Sequence, residues 1–149
     1  MLQSAVFLAR PPAGFMYGAR WSALTDTRRE QVRILSLAGV MVTIDDVIIY
    51  AMEGGSRALD DFLRLLAACP CQAVTSEVWR EAVRFRFQRV LTLSEPILTS
   101  EEISALRRAL RPDDPAYCEI PPLLGAAAMR WTMLPYRTRL KPTNRLVVS

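Results

Sequence analysis

Cys69 and Cys71 flank Pro70, and Cys118 is the one other thiol in the chain. A closed tetrahedral zinc site needs four ligands, and imidazole often supplies some of them, but this 149-residue sequence contains no His. The absence of His also removes the commonest general acid/base and with it Ser-His and Cys-His nucleophiles. Three thiols are too few and too odd in number for a disulfide framework, so they read as packing thiols in a reducing, intracellular setting. Carboxylates occur in adjacent pairs at Asp45-Asp46, Asp60-Asp61, Glu101-Glu102 and Asp113-Asp114. Neighbouring side chains on a turn or helix point apart, so these pairs read as solvated faces and not as acid/base dyads. No Gly-rich phosphate loop of the nucleotide-binding types occurs. No catalytic, cofactor-binding or metal-ligating residue is therefore assigned, and the chain is expected to be a non-enzyme without a cofactor.

The remaining chemistry is in the charge. Of 19 basic residues 18 are Arg, a residue suited to bidentate contacts with carboxylate or phosphate. Residues 1–23 and 129–149 hold Arg10, Arg20, Arg130, Arg137, Arg139, Lys141 and Arg145 and no acid. The other 12 basic residues face all 15 acids, so the middle of the chain is net negative and the ends carry the attraction for anionic partners. Hydrophobic residues make up 51% of the sequence, enough for a real core, and no apolar run approaches the ~18 residues that span a bilayer.

The elements that position these groups alternate along the chain. Ser4 to Ala9 reads as a first strand stopped by Pro11-Pro12, in preference to an organellar presequence. A short first helix is expected from a cap at Thr25 or Asp26 to a stop at Gly39. Val40–Ile44 and Val47–Met52 read as a hairpin turned at Asp45-Asp46, with Glu53-Gly54-Gly55 ending the third strand. Ser56 then caps an amphipathic helix carrying Leu59, Phe62, Leu63 and Leu66 at helical spacing, stopped by Pro70. Strands follow at Ala73–Trp79 and Val83–Leu93, the latter alternating Val83, Phe85 and Phe87 with Arg84, Arg86 and Gln88. Thr99 and Glu102 form a capping box for a third helix through Leu110, closed by Pro112. The predicted fold is α+β: a ferredoxin-like βαββαβ antiparallel sheet with its helices on one face, plus a third helix and an extended tail. The folded domain is assigned to 1–111 and a basic, Pro-containing extension to 112–149.

One resemblance goes beyond topology. Gly39, Val47, Met52, Glu53 and Gly54, within the run from Leu37 to Gly54, are similar to the central motif of the BLUF family, sensors of blue light using FAD. There a hairpin follows the first helix, and the third strand closes with Gln-x-Leu-Glu-Gly; Arg86-Phe87 matches an Arg-Phe before the last strand. The resemblance implies a Tyr on strand one, an Asn on helix one and a Gln on strand three around the isoalloxazine. In this register those positions hold Phe7, Val32 and Tyr50, while the family's Trp and Met on the last strand correspond to Val90 and Thr92. A phenol donor and a rearranging amide are therefore missing, and the expectation is a degenerate BLUF-like domain without the photocycle.

The functional expectation is a non-enzymatic structural or interaction subunit of a larger assembly. Trp131, Tyr136, Arg130, Arg137, Arg139, Lys141 and Arg145 are its candidate partner-binding residues, and Trp21, Tyr17 and Phe15 share their anchor character. The partner is expected to be a protein with an acidic surface, such as tubulin or a multisubunit complex. The resemblance to degenerate BLUF-like domains of eukaryotes implies a cilium, flagellum or axoneme, with the mitochondrion as the other location. The alternatives are an FAD-binding blue-light sensor, an RNA-binding ferredoxin-like module using Arg84, Phe85, Arg86 and Phe87, or an organellar complex subunit.

Overall fold

The computed structural model describes residues 2–12, 19–69, 74–83 and 92–133. β1 (Leu2–Arg10), α1 (Ala19–Ile34), β2 (Ala38–Ile44), β3 (Val47–Gly55), α2 (Ser56–Ala68) and β4 (Val74–Ala82) follow in the expected order. β5 (Leu93–Ser94), α3 (Ser100–Ala109), a 3-10 turn (Tyr117–Glu119) and α4 (Ile120–Thr132) follow among the described residues. The strands form one sheet in the order β4-β1-β3-β2-β5. The first four are antiparallel, as expected for a ferredoxin-like core, and β5 joins β2 in parallel, which makes the sheet mixed.

β3 lies at the centre, and every residue from Val47 to Gly54 is buried, because both faces of the sheet are covered. Strand alternation sends Ala5, Phe7, Met41, Ile48, Tyr50 and Met52 to one face, where α1 and α2 pack with Trp21, Leu24, Val32, Leu59, Phe62 and Leu66. Val6, Val40, Val42, Ile49 and Ala51 point the other way, onto Leu106, Ala109, Ile120, Leu124 and Ala128 of the C-terminal segment. The two helices of the ferredoxin-like core, α1 and α2, share one face as expected, and α3 and α4 build a second helical layer on the other. Within the segment from 112 onward, Ile120, Leu124 and Ala128 pack in this second core cluster.

Local signals explain the boundaries. Thr99 accepts from the Glu102 amide and Glu102 reaches back to the Thr99 amide, the expected capping box. α1 ends at Ile34, not at Gly39, through Ser36 in the left-handed region (φ 55°) and a Leu37 amide bond back to the Val32 carbonyl. Gly39 lies inside β2, where a Cβ would sit 2.7 Å from the Ala51 carbonyl oxygen. Gly55, not Ser56, occupies the cap position of α2. The β2–β3 hairpin turns on Asp45 and Asp46, both at positive φ (48° and 65°), so the two-residue loop forms without glycine. Asp46→Gly is expected to raise the unfolding free energy by about 0.5–1 kcal/mol in urea titration, since glycine adopts this conformation without steric cost.

Candidate functional site between the sheet and helices α1 and α2

β1 and β3 pair so that Phe7 stands beside Tyr50. Both side chains are fully buried on the α1/α2 face. On α1 the buried residues Trp21, Leu24, Thr25, Arg28 and Val32 follow helical spacing and form one stripe. The stripe therefore brings Val32, and Arg28 one turn before it, to the face that Phe7 and Tyr50 share. From α2 the ring of Phe62 lies 6.1 Å from that of Phe7 and 5.6 Å from that of Tyr50, edge-on to the latter. The three positions picked out by the BLUF resemblance thus converge, and Phe62 closes directly on two of them.

Arg28 is 2% exposed. Its Nε donates to the Tyr50 hydroxyl oxygen at 3.3 Å and its Nη1 to Gln31 Oε1 at 2.9 Å. Both of these acceptors are neutral, and no ion pair of Arg28 occurs among the described residues; burying a guanidinium in this way carries a cost of several kcal/mol. Burial pushes the Tyr50 phenol above its ordinary pKa, against the opposing pull of Arg28, and the field of Glu95 adds to the rise. Arg28, Phe62 and Glu95 were not singled out from the sequence as site residues. The available signal was a charged residue set one turn before Val32 on the apolar stripe of α1.

Glu95, just after β5, receives a hydrogen bond from Arg29 at 2.6 Å, while its Oε1 is buried without a hydrogen-bond partner. Burial raises its pKa above 4.5 despite Arg29. A carboxyl whose folded pKa exceeds its unfolded one contributes full stability below the unfolded value and loses it as pH rises through the folded one. Glu95→Gln is therefore expected to flatten the fall in stability that begins near pH 4.5, to match the wild type below it and to exceed it at neutral pH. Urea midpoints measured on both sides of that pH check this.

The FAD implied by the resemblance is not matched by the residues at these positions. Phe7 offers no phenol, Val32 no amide, and the space around Phe7 and Tyr50 is taken by Phe62 and by the Arg28 side chain. The niche as built can pack rings and present a buried cation beside a phenol. It lacks the Tyr–Gln–Asn relay.

The sequence-predicted partner residues fare unevenly. Trp21 is buried in the core between α1 and the sheet, so it is not a partner anchor. Arg130 donates to the Ile97 carbonyl and to Glu102 Oε1, both at 2.7 Å, and ties α4 to the start of α3. Trp131 is half-buried near the end of α4, followed by Met133 at 81% exposure. Phe15, Tyr17, Tyr136, Arg137, Arg139, Lys141 and Arg145 lie outside the described residues, as do Arg84 to Val90. The thiols are not a buried set: Cys118 is free and exposed, and Cys69 is disulfide-bonded. Five of the eight acids in these pairs form ion pairs: Asp45 with Arg107 at 2.8 Å, Asp60 with Arg80 at 2.9 Å, Asp61 with Arg64 at 2.8 Å, Glu102 with Arg130 at 2.7 Å and Asp113 with Arg111 at 3.1 Å. No described helix is long and apolar enough to cross a membrane.

No protein-family model matches the sequence, and no curated protein matches it. Solved structures do. BlrB, a BLUF protein in its dark state, is 18% identical with a TM-score of 0.66, over 84% of this chain and 96% of that one. BlsA in its photo-activated state is 9% identical with a TM-score of 0.62, over 100% and 96% of the two chains. Klebsiella pneumoniae BlrP1, in a complex with calcium and cyclic-diGMP, is 14% identical with a TM-score of 0.62, over 92% of this chain but only 36% of BlrP1. Nothing in these likenesses supports a ciliary, axonemal or mitochondrial placement. By these matches the chain has the fold of a BLUF domain.

Proposed function

We propose that this chain is a light-independent, non-enzymatic interaction module, a BLUF fold whose photochemical positions have become packing positions and which acts through contacts to a protein partner. The observation that supports it is the closed cluster of Phe7, Tyr50 and Phe62, with Arg28 bound to the Tyr50 hydroxyl. The basic, acid-free sequence from 129 onward and exposed Met133 next to half-buried Trp131 suit an acidic partner surface with an apolar centre. Trp131→Ala is expected to weaken assembly while leaving the fold intact.

A second reading, a flavin-binding light sensor, is favoured by the fold shared with BLUF proteins solved in dark and photo-activated states. One experiment separates the two. The purified protein is incubated with FAD, freed of unbound flavin, and its visible spectrum recorded before and after blue illumination. The proposal expects no retained flavin band and no light-induced change. A retained band that shifts to the red on illumination establishes the sensor, and a retained band without a shift overturns the flavin-free half of the proposal.

A further inference from the structure

On the sheet face that α3 and α4 cover, a cavity of about 510 Å³ opens at the hairpin end, lined from β1, the β2–β3 turn, the end of α3 and the 3-10 turn. Sites for small organic ligands span about 300–1,000 Å³. Its apolar wall is Leu8, Ile44, Val47 and Leu110, where Ile44 and Val47 are buried in the second core cluster and Leu8 and Leu110 pack half-buried against it. Strand alternation puts Arg10 on the same face as Leu8, and Arg107 and Arg111 reach the cavity from the end of α3 and the residues after it. Three guanidinium groups thus meet one lining carboxylate, Asp45, and that one is already gripped by Arg107 Nε and Nη2 at 2.8 and 2.9 Å. Arg111 gives one hydrogen bond to Asp113 at 3.1 Å. All 15 Asp and Glu side chains of the chain are described, and Arg10 pairs with none of them. Apart from the Tyr117 hydroxyl, no neutral hydrogen-bonding side chain is among the described residues that line the cavity, so it offers a nucleobase or a sugar little to read.

We propose that this cavity binds a single-chain amphiphilic anion, a carboxylate or phosphate head on a hydrocarbon body. The head accepts from Arg10 and from the unused donors of Arg111, since a guanidinium fork matches either anion. The body lies on Leu8, Ile44, Val47 and Leu110 and takes their exposed edges out of water. Because the wall joins the sheet to the end of α3, a bound amphiphile braces the hairpin against the second helical layer, next to the Asp45–Arg107 bond that already links them. The cavity is on the sheet face opposite Phe7, Tyr50 and Phe62, so retention of flavin between the sheet and α1 and α2 neither supports nor refutes it.

Isothermal titration calorimetry of the full chain, below the concentration at which each compound forms micelles, compares decanoate, decyl phosphate, hexanoate and neutral decanol. The expected result is binding of decanoate or decyl phosphate, the tighter of the two naming the head, with decanol and hexanoate each at least about tenfold weaker, for want of the charge and of the apolar length respectively. Arg10 is exposed at the end of β1, so Arg10→Gln should fold; it should weaken the anion about tenfold and leave decanol unchanged. Arg111→Gln serves as the test if Arg10→Gln does not fold. Arg108→Gln is the control, since Arg108 is equally an exposed arginine of α3 but does not line this cavity, and it should change nothing. Amide shifts in the nuclear magnetic resonance spectrum should centre on Arg10, Asp45 and Leu110. Absence of binding by both anions, decanol binding as tightly as decanoate, equal weakening by Arg108→Gln, shifts centred on Phe7 and Tyr50, or binding to phosphatidylglycerol vesicles with none to the monomeric anions each overturns the proposal.

Discussion

Replacing Phe62 with Ala lowers the unfolding free energy by about 3–5 kcal/mol, the cost of emptying a fully buried aromatic position. The ring is 0% exposed and meets both Phe7 and Tyr50, so its loss removes transfer energy, two ring contacts and the closure of α2 on the sheet. Urea unfolding followed by circular dichroism should show a lower midpoint with an unchanged slope, because the variant still folds to the same surface area. Phe62→Leu should recover most of the loss by refilling the volume. A loss below about 1 kcal/mol in the alanine variant would mean that the ring does not fill the niche.

The second large effect falls on the sheet. Gly39 pairs with Met52 on one side and with Leu93 on the other, and a Cβ there would meet the Ala51 carbonyl oxygen at 2.7 Å and the Met52 sulfur at 2.4 Å. The sulfur sits on a flexible side chain that can move; the carbonyl is part of central β3 and cannot move without disturbing the ladder. Gly39→Ala should therefore cost about 1–3 kcal/mol, and it should loosen β5 first, since Leu93 and Ser94 are its whole paired length. Hydrogen exchange at the Gly39 and Val40 amides reads this out. Gly55→Ala is the control: nothing lies within 4 Å of its Cβ position, and the same change there should be neutral or slightly stabilising.

Much of this architecture was legible in the sequence, for reasons that differ by element. The spacing of Leu59, Phe62 and Leu66 and the capping pair Thr99 and Glu102 act within a few residues, so local reading found α2 and α3. The hairpin at Asp45-Asp46 was legible from its flanking strands even though its residues lack glycine. α4 was not, because Pro121 and Pro122 read as irregular backbone, whereas prolines in the first turn of a helix cost no hydrogen bond there. α1 was expected to begin near Thr25; the polar residues that conceal its earlier turns also conceal that Trp21 faces the core. β5 is two residues paired in parallel with β2, a contact between distant segments that leaves no periodic trace. Of the site, Phe7, Val32 and Tyr50 were found through the resemblance. The burial of Arg28 depends on how α1 docks, which no local pattern encodes.

The chain's own side chains occupy the space between α1, α2 and the sheet. The most direct test is a crystal structure of protein purified in the presence of FAD. The expected structure has the Phe62 ring against Phe7 and Tyr50, Arg28 bound to the Tyr50 hydroxyl, and no flavin between the helices. Flavin density there, with Phe62 and Arg28 displaced from Tyr50, would contradict it.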